Sequence, residues 1–310
     1  MNRKRDVYYW QERSVTKYLK NEWVEHAVFK INSQGIEGIG AGTPNPDYGE
    51  TYKTTMAIIE KMRKLTENWE DLNEYAEFEK EMNNIVKFDM SSKTAVEIAI
   101  ADYILKSKNI DLAKILFSKR LMNENMIKVY VYSNMDFNVF NEVECGSILK
   151  IEFLEKVDIK ELNELKEKIK GYNIWIDFKG LFDHYEMRRV LNLLKDLKIV
   201  ALEQPLPVGN ELAVKDIMYK YPIFWDESFK NLNDILRLKD YSTGLIFEIT
   251  KFGGLIKTSE YLNLARDIGL ETVISSRIEH PITLNWAKKI MNSFNYADLD
   301  YSHYIIKTSK

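Results

Sequence analysis

From about residue 128 to about residue 300 the chain repeats one unit: a short β-rich run, an amphipathic helical stretch, then another run. "YNIWIDF" precedes "HYEMRRVLNLLKDL", "IVALEQP" precedes "NELAVKDIMYKY", and "GLIFEIT" precedes "IKTSEYLNLARDIG". Strand and helix alternating at this pitch make parallel βαβ units. Six or seven in succession favour a closed barrel over an open sheet. No Gly-rich phosphate fingerprint follows any of these runs, which argues against a dinucleotide-binding sheet.

The first part of the chain follows another pattern. "HAVFKINSQGIEGIGAGTP" reads as a hairpin turning at Ser33-Gln34-Gly35. "TYKTTMAIIEKMRKL" and "SKTAVEIAIADYILKSK" carry apolar residues at helical spacing, with Ser92 as a candidate N-cap. The expected organisation is an α+β capping domain over residues 1–120, a (β/α)7β-type modified TIM barrel over 121–294, and a tail, 295–310, packing near the cap. With 310 residues, 45% of them hydrophobic, a sizeable core is available. A net charge of -3 without a basic stripe makes nucleic acid a poor partner. No apolar run is long enough for a membrane span, and the start lacks the apolar segment of a signal peptide. The single cysteine, Cys145, fits a reducing compartment. The expectation is a cytoplasmic protein acting on a small molecule.

The strand ends carry the chemistry. Glu152, Asp177, Glu203, Asp226 and Glu248 each stand at or near the C-terminal end of an apolar run, 22 to 26 residues apart. In a barrel those ends form the active-site mouth, so five carboxylates converge on one bowl. Carboxylates this close repel and raise one another's pKa. A hard divalent cation relieves that, and an oxygen-only donor set suits Mg²⁺.

These residues resemble the enolase superfamily, in its muconate-lactonizing subgroup, and within it the dipeptide epimerases. "GIEGIGAGTPNPDYGET" is similar to the cap hairpin, "IDF", "LEQPLP" and "WDES" to the three metal-ligand strand ends, and "TKFGGLIKTSEYLNLARDIG" and "ISSRIEH" to the strands that follow. "ADLDYSHY" resembles a paired-aspartate motif that holds a substrate ammonium. The resemblance implies Asp177, Glu203 and Asp226 as Mg²⁺ ligands, Asp298 and Asp300 as ammonium ligands, and possible homo-oligomers. Arg277 is a candidate for a substrate carboxylate, Glu279 for binding substrate beside it, and His280 for lining the bowl.

The departures are as informative. The resemblance puts a catalytic lysine at the end of each of two strands. Here "LKIEF" keeps Lys150 but has Glu152 at the first position, and Glu248 stands at the second, five residues before Gly253. An Asp-x-Asn becomes Asp177-Phe178-Lys179, and strand alternation points Lys179 into the bowl. The resulting expectation is an Mg²⁺-dependent isomerase that removes a proton α to a carboxylate, on a dipeptide or amino-acid derivative, with Glu152 and Glu248 in the base positions. The alternatives are a lyase, dehydratase or o-succinylbenzoate-synthase-like, with Lys150 or Lys179 as base, and a ligand-binding homologue that catalyses nothing. The cap loop "YWQERSVTKYLKNEW" is expected to set specificity, with Arg13, Lys17 or Lys20 offsetting the acids below.

Overall fold

Alternation in "DVYYWQERSVT" and "WVEHAVFKINS" gives two long antiparallel strands, β1 (Asp6–Thr16) and β2 (Trp23–Ser33), and β2 turns back into β3 (Ile36–Gly42). The turn is two residues, Gln34 and Gly35, with φ of 57° and 78°. Two positive φ values give the strand-matched hairpin turn, so Ser33 stays in the ladder opposite Ile36. The computed structural model describes residues 6–16, 23–67, 75–118, 127–131, 148–156, 158–299 and 305–309. Asp300, Cys145, Lys17 and Lys20 lie outside them.

Helices α1 (Tyr52–Glu67), α2 (Tyr75–Ile85), α3 (Met90–Lys108) and α4 (Leu112–Leu116) complete the first part. α3 lies directly on β3, and the sequence shows why. Gly38, Gly40 and Gly42 share one strand face by the two-residue period. A Cβ on them would come within 2.2 Å of Ala99 O, 2.1 Å of Ala95 O and 1.9 Å of Ser91 O. Those three partners are spaced four apart on one helix face. The N-cap of α3 is Asp89, whose side chain accepts from Ser92 N, and not Ser92 as expected. Both residues suit the cap, and the backbone enters the helix three positions earlier than the apolar pattern does.

The repeat folds as parallel strands with helices outside. The strands are β4 (Ile127–Val131), β5 (Ile148–Glu152), β6 (Asn173–Asp177), β7 (Lys198–Glu203), β8 (Ile223–Trp225), β9 (Gly244–Phe247), β10 (Glu271–Ser275) and β11 (Tyr296–Asp298). They pair in sequence order in one eight-stranded sheet, and β11 comes back alongside β4 to complete the curl. Between them run α5 (Ile159–Lys168), α6 (His184–Leu193), α7 (Leu232–Leu238), α8 (Ile249–Phe252), α9 (Leu255–Asp267) and α10 (Pro281–Ile290). "NELAVKDIMYKY", expected as a helix, forms only a 3-10 stretch, Glu211–Asp216. The expected (β/α)7β-type barrel with an α+β cap is the fold observed. The tail divides, however: β11 belongs to the barrel sheet, and β12 (Ile305–Ser309) joins the cap sheet in the order β12-β1-β2-β3.

Two apolar layers hold this together. The outer one is continuous from the cap, through Phe29 and Ile98, to the outward strand residues Ile151, Ile176 and Leu202 and the helices covering them. The inner one fills the barrel: Trp175, Ala201, Phe224, Ile246 and Val273, with Ile148 and Tyr296 against them. Two residues further along each strand stand Asp177, Glu203, Asp226, Glu248, Ser275, Lys150 and Asp298. The strand period of two thus turns an apolar floor into a polar mouth. The cap is tied to the barrel by buried Glu97 of α3. Its Oε1 accepts from Leu255 N at 2.5 Å and Ile256 N at 3.1 Å, the first amides of α9. An anionic acceptor there satisfies orphan amides and the helix dipole.

Candidate active site at the barrel mouth

A cavity of about 400 Å³ opens between the polar mouth and the cap. The cap contributes Val24 and the segment Thr43–Asp47, and the barrel contributes Lys150, Glu152, Lys179, Asp226, Glu227, Glu248, Arg277 and Glu279, among others. The size suits a small organic ligand. Glu152 ends β5 and Glu248 follows β9. These strands are four apart in an eight-stranded curl, so the two carboxylates face the cavity from opposite walls.

Each of these glutamates is paired with a cation from a neighbouring strand. Lys179 Nζ lies 2.8 Å from Glu152 Oε1 and 3.0 Å from Asp177 Oδ2. Arg277 Nε lies 3.4 Å from Glu248 Oε2, and its Nη1 3.7 Å from Asp47 Oδ2. Arg277 also stacks over Tyr48, 5.5 Å from the ring centre, which fixes its direction. Lys179 enters the mouth by a different route from the expected one. Strand β6 ends at Asp177, and Lys179 takes a left-handed φ of 51°, its amide donating to Asp177 Oδ1 at 3.0 Å. The turn, not strand alternation, brings its ammonium back over Asp177.

Lys150 is fully buried in the middle of the barrel. Its ammonium lies 2.8 Å from Glu203 Oε1, 2.8 Å from Asp298 Oδ2 and 3.2 Å from Asp177 Oδ2. Burial by itself lowers a lysine pKa, but Asp298, Glu203 and Asp177 outweigh it and hold Lys150 well above the usual value. Lys179 is held up in the same way, against its burial, by Asp177, Glu152 and Glu227. Burial raises Glu279 to about 7 and, with Lys150 partly offsetting it, Asp298 to about 6. Asp298 turns to Lys150 and Ser275 and does not line the cavity.

The carboxylates expected to share one Mg²⁺ are each engaged by donors of the chain itself. Glu203 has both oxygens taken, Oε1 by Lys150 and Oε2 by the Trp175 indole N–H at 2.7 Å. Asp177 is engaged by Lys150 and Lys179, and Asp226 by Lys251 at 2.6 Å. Among the described residues, no three His, Cys, Asp or Glu side chains are grouped to hold one ion. The donor chemistry suits a hard cation, but ammonium groups fill the positions, so the arrangement does not fit a divalent ion.

Other expectations resolve simply. His280 caps α10, accepting from Ile282 N, and meets Glu12 at 3.0 Å; it is not in the cavity wall. His184 begins α6, but the cap is Asp183, with Glu186 completing a capping box. Three further residues shape the mouth without having been singled out by sequence. Glu227 lines the cavity 4.0 Å from Lys179, and "WDES" displayed it beside Asp226. Gln204 has a left-handed φ of 38°; its Oε1 accepts from Asp226 N and Ser228 N and so shapes the next strand end. Lys251 reaches back to Asp226 and to Ile246 O at 2.7 Å. Of these, only Glu227 left a sequence signal.

A sequence model described as "Enolase C-terminal domain-like" matches residues 142–309, more than half of the chain. The chain belongs to the enolase C-terminal domain-like family. Within it, the chain is 24% identical over 277 residues to the L-Ala-D/L-Glu epimerase of Bacteroides thetaiotaomicron, covering 87% of this chain and 72% of that one. It is 25% identical over 278 residues to the L-Ala-D/L-amino acid epimerase of Flavobacterium johnsoniae, covering 88% and 82%. Among solved structures it resembles the dipeptide epimerase of Methylococcus capsulatus complexed with Mg and the dipeptide L-Arg-D-Lys. That likeness has a TM-score of 0.81 at 19% identity and covers 98% of this chain and 91% of that one. The enolase-type barrel and its cap are therefore present over nearly the whole chain. Among the described residues no helix is long and apolar enough to cross a membrane.

Proposed function

We propose that this protein is an isomerase that exchanges the α-proton of a small carboxylate bearing an amine, of the dipeptide kind on which its relatives act. The reading is carried by one observation: Glu152 and Glu248 line one cavity from opposite walls. A substrate Cα held between them loses its proton to one carboxylate. The glutamate on the opposite wall delivers a proton to the other face, and configuration inverts.

Charge on the developing enolate is met by the ammonium groups of Lys179 and Lys150, both in the cavity wall. Fixed cations aimed at nascent negative charge supply most of the barrier lowering in such chemistry. Neighbouring acids hold both lysines protonated, which suits this role and not that of a lysine base in a lyase. Although the Methylococcus capsulatus relative was crystallised with Mg, the reaction here is assigned to the chain's own cations, because the carboxylates for an ion are already engaged. Six carboxylates and three cations line the cavity, an acidic balance that favours a substrate with a free ammonium.

The test is to incubate the protein with dipeptides and N-acylamino acids in D₂O and follow deuterium at the α-carbon. Exchange that is lost from one epimer in Glu152→Gln and from the other in Glu248→Gln supports the reading. Exchange with no member of a broad library, or undiminished exchange in both variants, overturns it.

A further inference from the structure

We propose that the Lys179 ammonium takes the place of a divalent cation at this barrel mouth, so that the protein neither binds nor needs Mg²⁺. The inference concerns the site of the proposed reaction and deepens that reading, but its test does not depend on the reaction.

Lys179 Nζ sits among Glu152 Oε1 at 2.8 Å, Asp177 Oδ2 at 3.0 Å and Glu227 Oε1 at 4.0 Å. A fixed ammonium with three carboxylates around it does the neutralising work of a bound ion. The backbone is shaped for it. Lys179 adopts a left-handed conformation that non-glycine residues rarely take, and its amide is pinned by Asp177 Oδ1. Strain of that kind persists only where surrounding contacts hold it.

Behind Lys179 each of the remaining acids has a cation partner. Lys150 bridges Asp177, Glu203 and Asp298, the Trp175 indole takes the second oxygen of Glu203, and Lys251 holds Asp226. Lys150 shares Asp177 Oδ2 with Lys179 but pairs otherwise with Glu203 and Asp298, and Lys251 pairs with Asp226. Lys179 is the cation that reaches across Asp177 to Glu152, and therefore the one whose removal would open room for an ion. Glu152 completes the arrangement: it gives the ammonium a second full charge to pair with, on the adjacent strand.

The experiment titrates Mn²⁺ and Mg²⁺ into chelator-stripped full-length protein, reading bound Mn²⁺ by paramagnetic resonance and melting temperature by scanning fluorimetry. The expected result is no stoichiometric Mn²⁺ binding and no melting shift with Mg²⁺ in the wild type. Lys179→Asn should then acquire about one Mn²⁺ per chain, with affinity improved at least roughly a hundredfold once the repelling charge is gone. Adding Asp177→Asn to that variant should remove the acquired binding, because Asp177 is an acid that Lys179 occupies in the wild type. Stoichiometric binding by the wild type at or below about 1 mM, with a melting rise that follows saturation, overturns the proposal. So does a folded Lys179→Asn that binds no ion. Should that variant not fold, Lys179→Gln answers the same question, and the wild-type titration alone can still overturn the claim. Absence of α-proton exchange would sink the reaction proposed above and leave these titrations unaffected.

Discussion

Glu152 and Lys179, at the ends of adjacent strands β5 and β6, form an ion pair of 2.8 Å across the strand boundary. Glu248 and Arg277 repeat the arrangement at 3.4 Å on the opposite side. At both positions where the resemblance led one to expect a lysine, an acid stands with a cation supplied by a neighbouring element. The mouth therefore keeps positive charge near each glutamate while moving it sideways, and the consequences can be measured.

Replacing either wall carboxylate should separate exchange from inversion. Glu152→Gln is expected to slow α-proton washout from one epimer by about 10²- to 10⁴-fold, and Glu248→Gln from the other, because each serves one face. Mass spectrometry of the two purified epimers in D₂O reads this directly. Equal loss from both epimers in each variant contradicts a two-wall mechanism.

Lys150→Met should be severely destabilising. It leaves Asp177, Glu203 and Asp298 buried together with their central cation gone. Breaking a buried ion cluster from one side costs roughly 3–5 kcal/mol. A urea midpoint within experimental error of the wild type would refute this account of the barrel centre.

Gly40→Ala tests the close approach of cap strand and helix. Its new Cβ would lie 2.1 Å from Ala95 O, a backbone atom that cannot step aside. Overpacking of this severity costs about 3 kcal/mol or more, since β3 and α3 must separate. The readout is again the denaturation midpoint, with Gly35→Ala as a contrast where no neighbour lies within 4 Å and only the positive φ opposes the change.

The stability of the cap should fall in mild acid through His26. Its ring is fully buried between Ser14 Oγ at 2.7 Å and Thr43 Oγ1 at 2.8 Å, and burial lowers its pKa to about 3 from 6.5. Between those values the unfolded chain binds a proton that the folded one does not. Stability from this residue is thus intact above pH 6.5 and declines as pH falls towards 3, by about 1.4 kcal/mol per unit. The raised carboxylates Glu279 and Asp298 act in the opposite sense, so the difference between wild type and His26→Gln isolates the effect. Parallel pH profiles for the two proteins would refute it.

Much of this architecture was legible in the sequence. The recurring acid at each strand end follows from the period of two, which carries Trp175 to Asp177 and Phe224 to Asp226 on the same inward face. The barrel and the cap hairpin follow from patterning of the same local kind. The partners of those acids were not legible, because they depend on lateral register between strands. Nothing in "IDFKG" says that Lys179 turns left-handed and reaches Glu152, and nothing in "YNIWIDF" says that the indole of Trp175 meets Glu203. Asp298 was expected in the substrate site for its motif, but the strand carrying it joins the barrel sheet and aims it at Lys150. The switch of the tail between two sheets within a dozen residues has no signature in composition or spacing.

Glu97 sets a limit on how far this architecture can be recombined. The helix that supplies it belongs to the cap, while the two amides it receives open a barrel helix, and Gly254 leaves room for it where an added Cβ would come within 2.3 Å of its carboxylate. A lid grafted from another member of the family would have to bring an acid to that same spot, or the recipient would lose the start of α9. Swapping substrate preference by exchanging lids is therefore constrained at a joint whose residues do not line the cavity.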